Sequence, residues 1–281
     1  MKNLFILLIG SFILLLPITC YPQLPPPKNG NTYVIAHRGA HEGIPENSLP
    51  AYQKAIDLGC DFVEIDIRTT RDKQFVSVHN SSINAYVDGK SGNVKDMRLA
   101  ELKALDIGKK ISREWQNTRI PTFEEILKLC QNKIGIYLDL KDAAPEALLP
   151  LIRKYNMEEN IVWFIWGDDD ENISKVRQNC PNCFLMPDPG KESNLNAVLA
   201  KYQPKVVASG MKNCSLSFCK TVHEQEAIVF KNKPCPLEPL GNLSWIRTGK
   251  ERTMAAIPET STGNTNAAVP GSCSFPYFLV P

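Results

Sequence analysis

Between residues 32 and 230 short apolar runs alternate with stretches of helical period. That alternation points to an α/β fold, in which helices cover the sheet that the runs form. Strands are expected at 32–36, 61–67, 74–78, 133–140, 160–166, 184–186, 205–208 and 227–230. Helices are expected at 48–58, 122–130, 145–155, 168–178, 194–201 and 215–224. A shorter helix near 99–105 falls within a longer polar region, 80–119. Asn47 or Ser48 would cap the first helix, and Thr122-Phe123-Glu124-Glu125 has the pattern of a capping box. Setting aside the first 31 residues leaves about 250, the usual size of one TIM-type (β/α)8 barrel. After Phe230 the pattern stops, and residues 231–281 hold seven prolines with no sustained period. The expected fold is therefore an α/β barrel, incomplete or irregular at its C-terminal end, with an irregular tail over 231–281.

Residues 1–20 read differently. Lys2 precedes Leu4-Phe5-Ile6-Leu7-Leu8-Ile9 and Phe12-Ile13-Leu14-Leu15-Leu16, the pattern of a secretory signal peptide. Export is expected, to a periplasmic, extracellular or membrane-anchored location. Membrane association would come only from an uncleaved signal or from lipidation of Cys20, which follows Ile18-Thr19. Residues 21–31, with four prolines, are expected to be an extended linker. A formal charge of +2 without a basic stripe gives no reason to expect nucleic acid. An oxidising compartment would suit the nine cysteines. Cys180-x-x-Cys183 and the Cys214/Cys219 pair are close enough in sequence to bridge. No second Cys-x-x-Cys completes a four-sulfur zinc site. Cys60 and Cys130 lie beside apolar runs and read as small core residues.

The chemistry gathers at strand ends. In Val63-Glu64-Ile65-Asp66-Ile67 the aliphatic side chains take one face, and Glu64 and Asp66 the other. Two like charges on one strand face repel and cost desolvation, which a cation or a neighbouring Lys or Arg would offset. Phe75-Val76-Ser77-Val78-His79 brings His79 to a strand end. In the next run Ile136, Leu138 and Leu140 oppose Tyr137, Asp139 and Lys141, and His37-Arg38-Gly39 follows the first strand. Four successive strands would thus deliver ionisable groups to one rim, where barrels build their chemistry. The set suits phosphoryl transfer. Three carboxylates favour a hard divalent cation, Mg2+ or Ca2+. Arg38 and Lys141 would hold phosphate oxygens. Two histidines can exchange protons near neutral pH.

These residues resemble the glycerophosphodiester phosphodiesterase family. The likeness rests on His37-Arg38-Gly39 with Pro45-Glu46-Asn47-Ser48, then on Gly59-Cys60-Asp61-Phe62-Val63-Glu64-Ile65-Asp66. It continues through Thr69-Thr70-Arg71-Asp72, Val78-His79, Ile120-Pro121-Thr122 and Leu138-Asp139-Leu140-Lys141. It spans residues 32–230 and implies a barrel that hydrolyses a small phosphodiester to an alcohol and glycerol phosphate. It further implies that Glu64, Asp66 and Asp139 hold one divalent cation, that His37 and His79 are the acid/base pair, and that Arg38 and Lys141 bind phosphate. Glu46 and Asn47 would support the site, and residues 80–119 would match a small insertion shaping access. The implied mechanism is attack on phosphorus by the glycerol 2-hydroxyl, followed by opening of a cyclic phosphate by water. Three departures stand out. Asn80 takes the place of an Asp, Asp139 that of a Glu, and nothing after Lys231 matches the family's final strand, as a reading-frame change or divergent end would leave it. Two other readings are a lipid-directed phosphodiesterase and an impaired member that only binds.

Overall fold

The computed structural model describes residues 23–28, 33–210 and 215–231, together with the strand backbones at 245–248, 251–254 and 277–280. Five strands, β1 (Tyr33–Ala36), β2 (Phe62–Thr69), β4 (Gly135–Leu140), β5 (Ile161–Trp166) and β6 (Phe184–Asp188), run parallel in one sheet. A second parallel sheet pairs β7 (Val206–Ser209) with β8 (Ile228–Lys231). The expected alternation is present: α1 (Leu49–Asp57), α3 (Phe123–Cys130), α4 (Pro145–Lys154), α5 (Asp170–Asn179), α6 (Leu195–Tyr202) and α7 (Leu216–Glu224) connect the strands. The wall is thus a TIM-type barrel in two hydrogen-bonded pieces, irregular toward the C-terminal end.

One strand departs from expectation. The run at 74–78 forms β3 (Phe75–Ser77), which pairs antiparallel with β2 and is not a wall strand. Thr69-Thr70-Arg71-Asp72 makes the reversal: Thr70 Oγ1 donates to Asp72 Oδ1 at 2.6 Å and accepts from Gln74 N at 2.9 Å. Within 231–281, expected to be irregular, β9 (Trp245–Thr248) and β10 (Glu251–Met254) pair antiparallel. There too, β11 (Tyr277–Val280) lies parallel to β1 in register from Tyr33↔Tyr277 to Ala36↔Val280.

Strand alternation sorts side chains into two cores. Val63, Ile65, Ile67, Ile136 and Leu138 face outward, against Ala55, Phe123, Ile126, Leu127, Leu148 and Ile152 of the helices. Tyr33, Phe62, Tyr137, Phe164, Met186 and Phe230 fill the interior. Burial on both faces is what a parallel sheet requires. At the base the Phe230 ring lies 5.9 Å from Tyr33 and 5.6 Å from Phe62, which brings β8 back against β1 and β2. Residues 23–28, expected as part of an extended linker, also reach there. Leu24 lies against the interior core. Tyr33 Oη donates to Pro25 O at 2.6 Å, and Lys28 N donates to Asp61 Oδ1 at 2.7 Å.

Local signals hold where they were read. Ser48 caps α1, its Oγ accepting from Ala51 N at 3.4 Å. Thr122 and Glu125 form the reciprocal capping box of α3. Region 80–119, expected to be polar, instead has its own core. Ile83, Val94, Leu102 from α2 (Leu99–Lys103), Leu105 and Ile107 close with Val76 and Val78. Cys180 and Cys183 form a disulfide. Cys60 and Cys130 are buried, as expected of small core residues, whereas Cys214 lies outside the described residues. No helix among the described residues is long and apolar enough to cross a membrane. The signal segment and Cys20 lie outside them.

Candidate active site

The inner face of β2 turns from apolar to acidic toward its carboxyl end, passing from Phe62 to Glu64 and Asp66. β4 does the same in register, with Glu64 beside Tyr137 and Asp66 beside Asp139. Glu64, Asp66 and Asp139 each offer a carboxylate oxygen within 4.8 Å of the others. Burial, followed by the charges of Asp66 and Asp139, pushes Glu64 well above the usual carboxylate range. Burial also raises Asp139, although Lys141 opposes the shift.

Two cations face this acid cluster. Lys141 Nζ lies 2.7 Å from Asp139 Oδ2 and 3.0 Å from Asp66 Oδ1. The second contact lacks hydrogen-bond geometry, so Asp66 Oδ1 is a buried oxygen without a hydrogen bond. Arg38 Nη1 donates to Glu46 Oε2 at 2.9 Å, and its Nε lies 3.7 Å from Asp66 Oδ2. Arg38 N donates to Glu64 Oε2 at 2.8 Å. These three carboxylates fit a hard divalent cation. They supply only oxygens, they are held close together, and one retains an unsatisfied buried lone pair.

The loop after β1 is shaped for close approach. Arg38 has φ 56°, Gly39 φ 84° and Asn47 φ 51°. A Cβ on Gly39 would lie 2.7 Å from Ala51 Cβ and 2.8 Å from Ala51 C, so α1 packs where only glycine fits. Asn47 is buried and acts as the hub. Its Nδ2 donates to Asp66 Oδ2 at 2.7 Å, and its Oδ1 accepts from Tyr52 Oη and Ser77 Oγ, each at 2.9 Å. His37 stands at the rim with Nε2 4.0 Å from Glu64 Oε2. Burial and then the Arg38 guanidinium push its pKa down to about 4, so its ring is neutral at pH 7.

His79 reaches the rim by another route than expected. It follows the antiparallel β3, so three wall strands, not four, carry the expected groups. Val78 N donates to Asp66 O at 3.0 Å. The Arg68 guanidinium then clamps the turn, Nη2 donating to His79 O at 2.6 Å, while its Nη1 pairs with Asp142 at 3.0 Å. His79 Nδ1 lies 3.0 Å from Asn80 Oδ1. Tyr86 Oη, from the inserted region, accepts from Asn80 N at 3.1 Å and donates to Glu46 Oε1 at 3.0 Å. One network therefore joins His79, Asn80, Tyr86, Glu46 and Arg38. Sequence reasoning missed Arg68, Tyr86, Tyr52 and Ser77, because each acts through a neighbour and matches no spacing of its own.

The glycerophosphoryl diester phosphodiesterase family model matches residues 37–173. A glycerophosphodiester phosphodiesterase of Caldanaerobacter subterraneus subsp. tengcongensis is 35% identical over 138 residues, 47% of this chain and 56% of that protein. A putative glycerophosphodiester phosphodiesterase of Bacillus subtilis is 41% identical over 109 residues, 39% of this chain and 44% of that one. The chain thus spans about half the length of the curated relatives it matches. The fold is similar to an Oleispira antarctica phosphodiesterase solved with the product sn-glycerol-3-phosphate, with TM-score 0.65 and 21% identity over 72% of this chain and 84% of that one. It is also similar to a glycerophosphodiester phosphodiesterase of Agrobacterium tumefaciens, with TM-score 0.63 and 20% identity over 71% and 86% of the two chains. The matched span covers the rim residues of β1, β2 and β4 and the two histidines, and over that span the chain is similar to the glycerophosphoryl diester phosphodiesterase family.

Proposed function

We propose that this protein is a divalent-cation-dependent phosphodiesterase that hydrolyses glycerophosphodiesters to an alcohol and glycerol phosphate. The observation that carries the reading is the convergence of Glu64, Asp66 and Asp139 with Arg38 and Lys141 beside a neutral imidazole. Held by the three carboxylates, Mg2+ or Ca2+ would supply positive charge to a phosphate oxygen. Arg38 and Lys141 bind the remaining phosphate oxygens and oppose the charge that builds on them. One histidine of the His37/His79 pair takes the proton of the glycerol 2-hydroxyl as that oxygen bonds to phosphorus. The other protonates the alcohol oxygen as its bond to phosphorus breaks. Water then opens the cyclic phosphate with the histidines in reversed roles. Glu46 and Asn47 position Arg38 and Asp66.

Soluble diesters are favoured over lysophospholipids because most apolar side chains of region 80–119 turn into their own core, leaving Ile111 as its one exposed large aliphatic side chain. The Cys180–Cys183 disulfide supports export. The test is release of glycerol phosphate from glycerophosphocholine with Mg2+ or Ca2+, and with a chelator. Turnover that the chelator abolishes is expected. No turnover with any added divalent cation would overturn the reading. His37→Ala and Glu64→Ala should each abolish turnover while the far-UV spectrum and a cooperative melt remain.

A further inference from the structure

The barrel interior continues past the acid cluster to groups that the proposed chemistry does not use. On β5 the inner face reads Val162, Phe164, Trp166, and on β6 it reads Phe184, Met186, Asp188. Trp166 and Asp188 are register partners at the carboxyl ends of adjacent parallel strands, so their side chains rise from the same face roughly 5 Å apart. Phe164 is likewise the register partner of Asp139. The Trp166 ring stands edge-on to Phe164 at 5.5 Å, and Phe164 lies 5.8 Å from Tyr137. An aromatic wall thus leads from the carboxylates to the β5–β6 rim.

Two features of that rim are unusual. Trp166 is 56% exposed, in a barrel whose other inward aromatic side chains are buried. Asp188 is only 6% exposed and forms no ion pair among the described residues. Its Oδ1 accepts from Gly190 N at 2.8 Å, and its other oxygen receives no hydrogen bond from any described group. Burial accordingly raises its pKa, with no cation to oppose the shift. A desolvated carboxylate without a counter-charge, beside an open indole face, is what a cationic nitrogen requires. The carboxylate supplies the charge, and the ring supplies a quadrupole and an apolar surface.

Resting on the proposed phosphodiesterase reading, we infer that Trp166 and Asp188 form a subsite for a positively charged nitrogen on the substrate's alcohol, as in a choline ester. With the phosphate held by Arg38 and Lys141, the short carbon bridge of such an alcohol directs its nitrogen along the Phe164 wall toward β5 and β6. Trp166 and Asp188 determine specificity in this arrangement and take no part in proton transfer.

The test compares glycerophosphocholine with glycerophosphoglycerol, whose alcohol is neutral, on the full chain with added divalent cation. Asp188→Asn and Trp166→Leu should each lower kcat/KM for the choline ester roughly tenfold while changing the glycerol ester less than about twofold. Equal losses on both substrates, or no loss on either, would overturn the subsite. Calorimetric titration with choline chloride provides an arm independent of turnover. The unaltered protein should bind choline, and both variants should bind it several-fold more weakly. If nothing is hydrolysed yet choline binds and the variants weaken it, the hydrolytic reading fails and the subsite stands. If choline does not bind, or binds all three proteins alike, the subsite fails. Trp166→Leu changes an exposed side chain, so it keeps the comparison available should Asp188→Asn not fold.

Discussion

Asn47 shows how much of this site depends on a single side chain. Asn is among the few non-glycine residues that accept a left-handed backbone, and here that backbone aims the amide at Asp66. Removing the amide takes an acceptor from Tyr52 and Ser77, whose hydroxyls keep only their 2.8 Å bond to each other, and a donor from buried Asp66 Oδ2. Asn47→Ala should therefore cost about 1–3 kcal/mol in urea unfolding and lower kcat as well. A variant as stable as the parent would show that the hub is dispensable. The carboxylates make a second prediction, measurable without turnover. Glu64 and Asp139 titrate above their unfolded values, so the stability tied to their protonated forms is fully present below about pH 4 and is lost as pH rises through the higher folded values. In chelator these two carboxyls should lower the melting temperature as pH rises toward neutrality, a fall that Glu64→Gln should lessen, while His37, held down to about 4, acts in the opposite direction. Added Ca2+ should raise the melting temperature more at pH 7 than at pH 4, where protons compete for the same oxygens. An equal shift at both pH values would argue against binding at this cluster. The gathering of the nine proposed site residues around one rim was legible from the sequence. Their supports were not, because Arg68 and Tyr86 serve the site through backbone and hydroxyl contacts made across the fold.

Among the elements, β2 was readable because alternation reports which face a side chain takes. Direction is not encoded that way, and β3 has the same alternation although it runs antiparallel. The reversal matters for function: it places His79 just after β3, off the barrel wall, where Arg68 of β2 clamps its backbone. The inserted region read as polar because its apolar residues are irregularly spaced; three-dimensional closure gathers them into a core. That core fixes Tyr86 over Glu46 and Asn80. Tyr86→Phe keeps the ring and removes the hydroxyl, so the melting temperature should change little. Turnover should fall by roughly tenfold, the equivalent of about one charge-assisted hydrogen bond. Unchanged turnover would show that the insertion does not position the acid/base residues.

Over the whole molecule, the wall is held as two hydrogen-bonded sheets while the interior is continuous. The Tyr33–Phe62–Phe230 ring cluster at the base joins the first strands to β8, and Leu24 packs against it. Phe230→Ala should accordingly destabilise the fold by about 3–5 kcal/mol, more than a surface position near the chain end would. The sequence carried no sign of this base, because its partners are about 200 residues apart and 23–28 reads as a proline-rich tether. The same long separation hid the pairing of β11 with β1. The acid cluster, by contrast, was legible because β1, β2 and β4 each lead to a pair of ionisable side chains.

The proposed chemistry is hydrolysis of glycerophosphodiesters at this rim with the help of one divalent cation. The most direct measurement is glycerol phosphate release from glycerophosphocholine by the full chain, in chelator and after titration with Mg2+ or Ca2+. No release is expected in chelator, with recovery on a single saturating cation and no recovery in Glu64→Ala. Release that persists in chelator, or that Glu64→Ala retains at a near-normal rate, would contradict it.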